Sequence, residues 1–102
     1  MTIDEGTAWF AGHTAGAPEA LRLRSERFFR QAGVAELVPR LAAAGRDALA
    51  AATADGAVRA AALDLLAADA LITLALLRAS EEDPAGFGRA AVALRHQATV
   101  LP

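Results

Sequence analysis

Within the most hydrophobic stretch of the chain, Ala60 to Leu77, two carboxylates interrupt an apolar run: Asp64 and Asp69. Asp69 falls on a helical line that otherwise reads Val58, Ala62, Leu65, Ile72 and Leu76, where an aliphatic side chain is expected. Thr73 follows one helical turn later, so a carboxylate and a hydroxyl share one patch. A buried carboxylate without a partner is strongly disfavoured or takes up a proton, so Asp69 needs a counterpart. Two arrangements supply one. Asp69 and Thr73 could hold the polar group of a ligand in an internal pocket, or an arginine such as Arg27 or Arg30 could pair with Asp69 and fix helix register.

A second pair lies near the C-terminus. Arg89 and His96 are separated by six residues, close to two helical turns, and point the same way with Val92 between them. This spacing resembles the R-x4-6-H motif of the HEPN family, small all-helical proteins that are often dimeric and often cleave RNA. The resemblance implies that Arg89 would bind and stabilise phosphate while His96 assists attack by a 2′-hydroxyl. It covers eight residues, and Ala90 stands where active members usually carry a polar side chain.

The remaining polar chemistry is sparse. His13 and His96 are the two histidines, so no helix of this chain carries a two-histidine metal site. His13 follows Trp9 by one turn at the end of a helix, where a partial positive charge is favourable. Four arginines fall within nine residues, Arg22, Arg24, Arg27 and Arg30, and make a candidate face for an anion or an acidic partner. Glu19 and Glu26 at i,i+3 and i,i+4 spacing describe the ordinary alternative, a solvated face of weak ion pairs. No Gly-rich phosphate loop, H-E-x-x-H, G-x-S-x-G or EF-hand pattern is present. Ser25 and Ser80 have no neighbouring histidine in sequence. No cofactor or metal is implied.

Composition bounds what can position these residues. The 102 residues make a single domain, 1–102, with 55% hydrophobic residues, but 29 of those are alanine. No cysteine is present, which excludes a disulfide framework and cysteine-based zinc or iron–sulfur sites. A net charge of −2 gives no drive toward nucleic acid or anionic membrane. All ten basic residues are arginine, while lysine, asparagine and tyrosine are absent, the signature of a GC-rich coding sequence. Asp64 and Asp69 weigh against reading Ala60–Leu77 as a membrane span, and the N-terminus lacks a secretory pattern. The expected location is the cytoplasm.

The pattern is helical throughout, rich in alanine, leucine and arginine and without period-two alternation. A Thr2/Glu5 capping box predicts a first helix over Ile3–His13, with Phe10 and Trp9 on its apolar side. Gly16, Ala17 and Pro18 break it. A second helix, Pro18 to about Ala32, places Leu21, Ser25, Phe28 and Ala32 on one face, with Gly33 as C-terminal cap. The third runs from Pro39 to about Thr53 with a thin stripe of Leu41, Ala44, Ala48 and Ala52. The fourth, at about 57–80, is apolar on nearly every side, so it must be central or lie between subunits. Asp83 and Pro84 open a last helix striped by Phe87, Ala91, Leu94 and Ala98.

The expectation is therefore an all-α, compact bundle of four to five helices. Its function is expected to be self-association as a homodimer, with contacts to a protein or a small apolar ligand and no enzymatic activity. Asp69, Thr73 and Trp9 are the candidate ligand-binding residues. The HEPN-like reading through Arg89 and His96 is the enzymatic alternative.

Overall fold

A computed structural model of the chain describes residues 4–54, 56–86, 88, 89 and 92. It is all-α, as expected. Four helices are described in full: α1 (Glu5–Thr14), α2 (Glu19–Gln31), α3 (Leu37–Ala54) and α4 (Val58–Glu82). Helical backbone resumes at Pro84. There, the Asp83 carboxylate accepts from the backbone N–H of Gly86 at 2.9 Å, which is the cap expected from the Asp-Pro pair. The stripe of Phe87, Ala91, Leu94 and Ala98 lies outside the described residues.

Local chemistry sets the boundaries. The start of α1 differs from the Thr2/Glu5 capping box. Asp4 is the N-cap, and its carboxylate accepts from the Thr7 backbone N–H at 2.7 Å and from the Thr7 hydroxyl at 3.0 Å. These bonds, led by the backbone one, hold the Asp4 carboxyl below its ordinary value. Thr14 closes the helix by donating its hydroxyl to the Phe10 carbonyl at 2.9 Å. Gly33 does not take the left-handed C-cap conformation, and no described residue has positive φ. Instead Ala32 turns to extended backbone while its N–H still bonds the Phe28 carbonyl. Pro39 sits in the first turn of α3, where its missing N–H would have had no helical partner.

The core is narrow and made largely of small side chains. α4 packs most extensively on α3. Leu41, Ala44, Gly45 and Ala48 of α3 and Ala67, Ala68, Leu71 and Ala75 of α4 are all buried. A Cβ placed on Gly45 would stand 2.7 Å from Cγ1 of Ile72, so the two helices approach closely at that point. α2 contributes Phe28, Phe29 and Ala32, and Phe10 of α1 stacks on Phe29 with ring centroids 4.2 Å apart.

This packing corrects the reading of α4. The line Val58, Leu65, Asp69, Ile72, Leu76 is not buried but faces outward, while Asp64, Ala67, Ala68, Leu71 and Ala75 face the core. α4 is long and apolar enough to cross a membrane by length and composition; here one of its faces closes the bundle and the other stands open.

Candidate functional site

The buried acid is Asp64, not Asp69. Asp64 is 2% exposed, and Nη1 of Arg24 lies 3.0 Å from its Oδ1. The arginine comes from α2, and this ion pair pins α2 across α4. The pairing expected for Arg27 or Arg30 is therefore made by Arg24, and to the other aspartate. Adjacent Ser25 is 1% exposed, and its Oγ has no hydrogen-bond partner among the described residues. A hydroxyl left unpaired in a core costs stability.

The other arginines do not form one anion-binding face. Arg22 and Arg30 both pair with Glu26, the former at 3.5 Å. Arg27 lies over the Phe28 ring, 5.3 Å from its centroid. With Arg24 turned inward to Asp64, the four arginines are divided among separate contacts. Arg40, which sequence reasoning passed over, is more structural: its Nε donates to the Phe29 carbonyl at 2.9 Å while its guanidinium stacks on the Phe29 ring at 4.0 Å.

Asp69 and Thr73 are exposed, yet they line one cleft of about 250 Å³ with His13, Arg22 and the orphan Ser25. Ala17, Leu21, Ala70 and Leu74 give the cleft its apolar walls. α1 positions the imidazole: His13 Nδ1 lies 2.9 Å from the Trp9 carbonyl oxygen, which can only accept, so Nδ1 carries a proton and Nε2 points elsewhere. The ring also stacks on Trp9 at 3.9 Å. Trp9 itself does not line the cleft. It is half-buried, donates from Nε1 to Glu81 Oε1 at 3.1 Å and sits beneath Arg78. Phe10 is core, and Trp9 fastens α1 to the end of α4.

On the opposite flank of Asp69 runs an open apolar groove of about 650 Å³ between α3 and α4, bounded by Leu49, Ala62, Leu65, Leu66, Ala68 and Ile72. Val58 is 85% exposed, Leu65 and Leu66 are each more than half exposed, and Leu76 and Leu77 continue the strip. Asp69 stands on the ridge between groove and cleft, the sole charged residue on an outer face from Ala62 to Leu77 that is apolar apart from it and Thr73.

No group of three or more metal-ligating side chains occurs among the described residues. Arg89 is helical and exposed, and His96 lies outside the described residues. No family model, curated protein or solved structure matches the chain.

Proposed function

We propose that this protein is a small soluble helical module of the cytoplasm, non-enzymatic, that works by self-association through the outer face of α4. The observation that carries this reading is the size of that face. Val58, Leu65, Leu66, Ile72, Leu76 and Leu77, with Leu49 beside them, have fractional exposures that amount to roughly three and a half fully exposed aliphatic side chains. Burying them is worth ~5–10 kcal/mol per copy, so two copies together reach the range of the ~4–15 kcal/mol that association costs. A second copy offers the same apolar surface, as an isologous contact requires. The small-residue core explains why the face exists. Alanines take the inner side of α4, and the leucines that would fill a larger protein's core are left outside.

Native mass spectrometry and sedimentation of the intact chain test this. The expected species is twice the 10.5 kDa monomer, and Leu65→Glu, on the exposed face, should give a folded monomer with unchanged helicity. A wild-type chain that remains monomeric at micromolar concentration refutes the reading.

A second reading is favoured by one specific observation, the buried and unpartnered Ser25 hydroxyl beside the cleft of His13, Arg22, Asp69 and Thr73. A volume of about 250 Å³ corresponds to roughly eight waters, room for a small ligand whose polar group meets Ser25, Asp69 or Thr73 and whose apolar part lies against Leu21 and Leu74. Added mass retained on the native protein is the signal that would support it.

A further inference from the structure

The outer line of α4 carries more information than its apolarity. Val58, Ala62, Leu65, Asp69, Ile72 and Leu76 alternate at steps of four and three residues, the 3.5-residue repeat of a coiled-coil seam. In the structure this whole seam lies on the exposed side of the helix. One polar residue interrupts it, and a single polar residue in such a seam selects orientation and register, because every alternative leaves it facing the wrong neighbour.

Three pairings of two α4 helices are worth comparing. A parallel, in-register pair sets Asp69 against Asp69, like charge on like charge. An antiparallel pair with maximal overlap, centred near residue 67, sets Asp69 against Leu65, a carboxylate against apolar side chains with no cation. An antiparallel pair centred between residues 63 and 64 sets Asp69 against the turn of Val58 and Arg59. Asp69 and Arg59 are both exposed, and neither has an ion-pair partner among the described residues. They stand ten residues apart, about 15 Å along the axis. A two-fold axis close to their midpoint therefore brings two equivalent oppositely charged pairs together at once. Between them Ala62 of one copy meets Leu65 of the other, and the reverse, so small lies against large. Ile72 and Leu76 then lie beyond Val58, the first residue of the second copy's α4, so the seam is covered from Val58 to Asp69 and these two side chains gain less from the pairing.

We infer that two copies of this chain pair antiparallel through α4, offset so that Asp69 of each copy engages Arg59 of the other across the seam. This rests on self-association through α4, and it adds the orientation, the register and the charged pair that fixes them. The lone acid of an apolar face becomes a specificity device, satisfied in one arrangement and repelled or stranded in the others.

The test is a charge exchange read by sedimentation equilibrium on the intact chain. Asp69→Arg and Arg59→Asp should each weaken the dimer about tenfold or more, and the double exchange should restore its dissociation constant to within about threefold of wild type. Both positions are exposed, so helicity by circular dichroism should be unchanged. The milder Asp69→Asn and Arg59→Gln serve as a second cycle, in which the two losses should be markedly less than additive. If the double exchange is as weak as the single variants, this register is wrong, while Leu65→Glu still reports separately on whether the face associates. A wild-type monomer overturns both inferences together.

Discussion

Removing Arg24 should be among the most damaging single changes to this fold, because no other described residue pairs with the buried Asp64 carboxylate. In Arg24→Met the aspartate, 2% exposed, loses the guanidinium 3.0 Å away and keeps its position in the α2–α4 contact. An uncompensated buried charge costs ~3–5 kcal/mol, a large part of the ~5–15 kcal/mol available to a whole domain. The pair is asymmetric, and this sharpens the expectation. The Arg24 side chain is 23% exposed, so in Asp64→Leu the arginine can turn its charged end to water along an apolar stem, at a cost of ~1–2 kcal/mol. The double variant Arg24→Met/Asp64→Leu replaces two charges by apolar groups and should return to within ~1 kcal/mol of wild type or exceed it. Urea denaturation of the four proteins measures the cycle. Thermal midpoints should separate by ~4–8 °C for each kcal/mol in a domain of this size. An Arg24→Met loss below ~1 kcal/mol, or an Asp64→Leu loss larger than that of Arg24→Met, would refute the claim that the pair is desolvated mainly on its acidic side.

Three further outcomes are expected. Ser25→Ala should stabilise by ~1 kcal/mol, since it deletes a buried hydroxyl with no partner; a loss instead would show that this hydroxyl is engaged in the native protein and would favour the cleft as a binding site. Gly45→Val should destabilise by ~1–3 kcal/mol by overpacking against Ile72, whereas in Gly45→Ala the helix-propensity gain of ~1 kcal/mol offsets much of the clash, and denaturation midpoints of the two variants decide. Asp4 has a folded-state value below its unfolded one, so its capping stabilisation is complete above the unfolded value and lost as pH falls through the folded value. A carboxyl titration by NMR should find its midpoint below the ordinary aspartate value, with α1 fraying over the same range.

The helices were legible because their punctuation is chemical. Gly16–Pro18 and Asp83–Pro84 separate runs of strong helix formers, and the face of α2 expected at Ser25, Phe28 and Ala32 is buried. The inner face of α4 was not recovered, for a reason that lies in side-chain size. Hydrophobic pattern reading weights leucine and isoleucine, but α3 and α4 approach so closely at Gly45 that the side chains between them are chiefly small ones. The signal was present as a run of small residues, Ala44, Gly45 and Ala48 against Ala67, Ala68 and Ala75, and it was hidden by general alanine richness. Weighting that line puts Asp69 inside and leaves Asp64, the acid that is buried, without an expected partner. The partner of Asp64 lies 40 residues away, a separation that helical periodicity does not encode. Asp69 and Thr73 line one cleft, but from the exposed side of α4, and nothing in sequence spacing joins His13 and Arg22 to them.

The separations across the contacts also imply an order of assembly. α3 and α4 are joined by three residues, and their shared surface can form by folding a single hairpin back on itself, at little loop-closure cost. The Arg24–Asp64 pair must close 40 residues and the Trp9–Glu81 bond 72. Contacts of this length come late on a folding path. The helices made first during synthesis are thus the last to find their places. α1 and α2 leave the ribosome before the surface they dock on exists, and they must wait, with Phe10, Phe28 and Phe29 uncovered, until α4 has emerged. Chain-elongation pauses before α4 would prolong that interval, which makes the nascent chain, rather than the finished fold, the stage at which this protein is most open to misassembly.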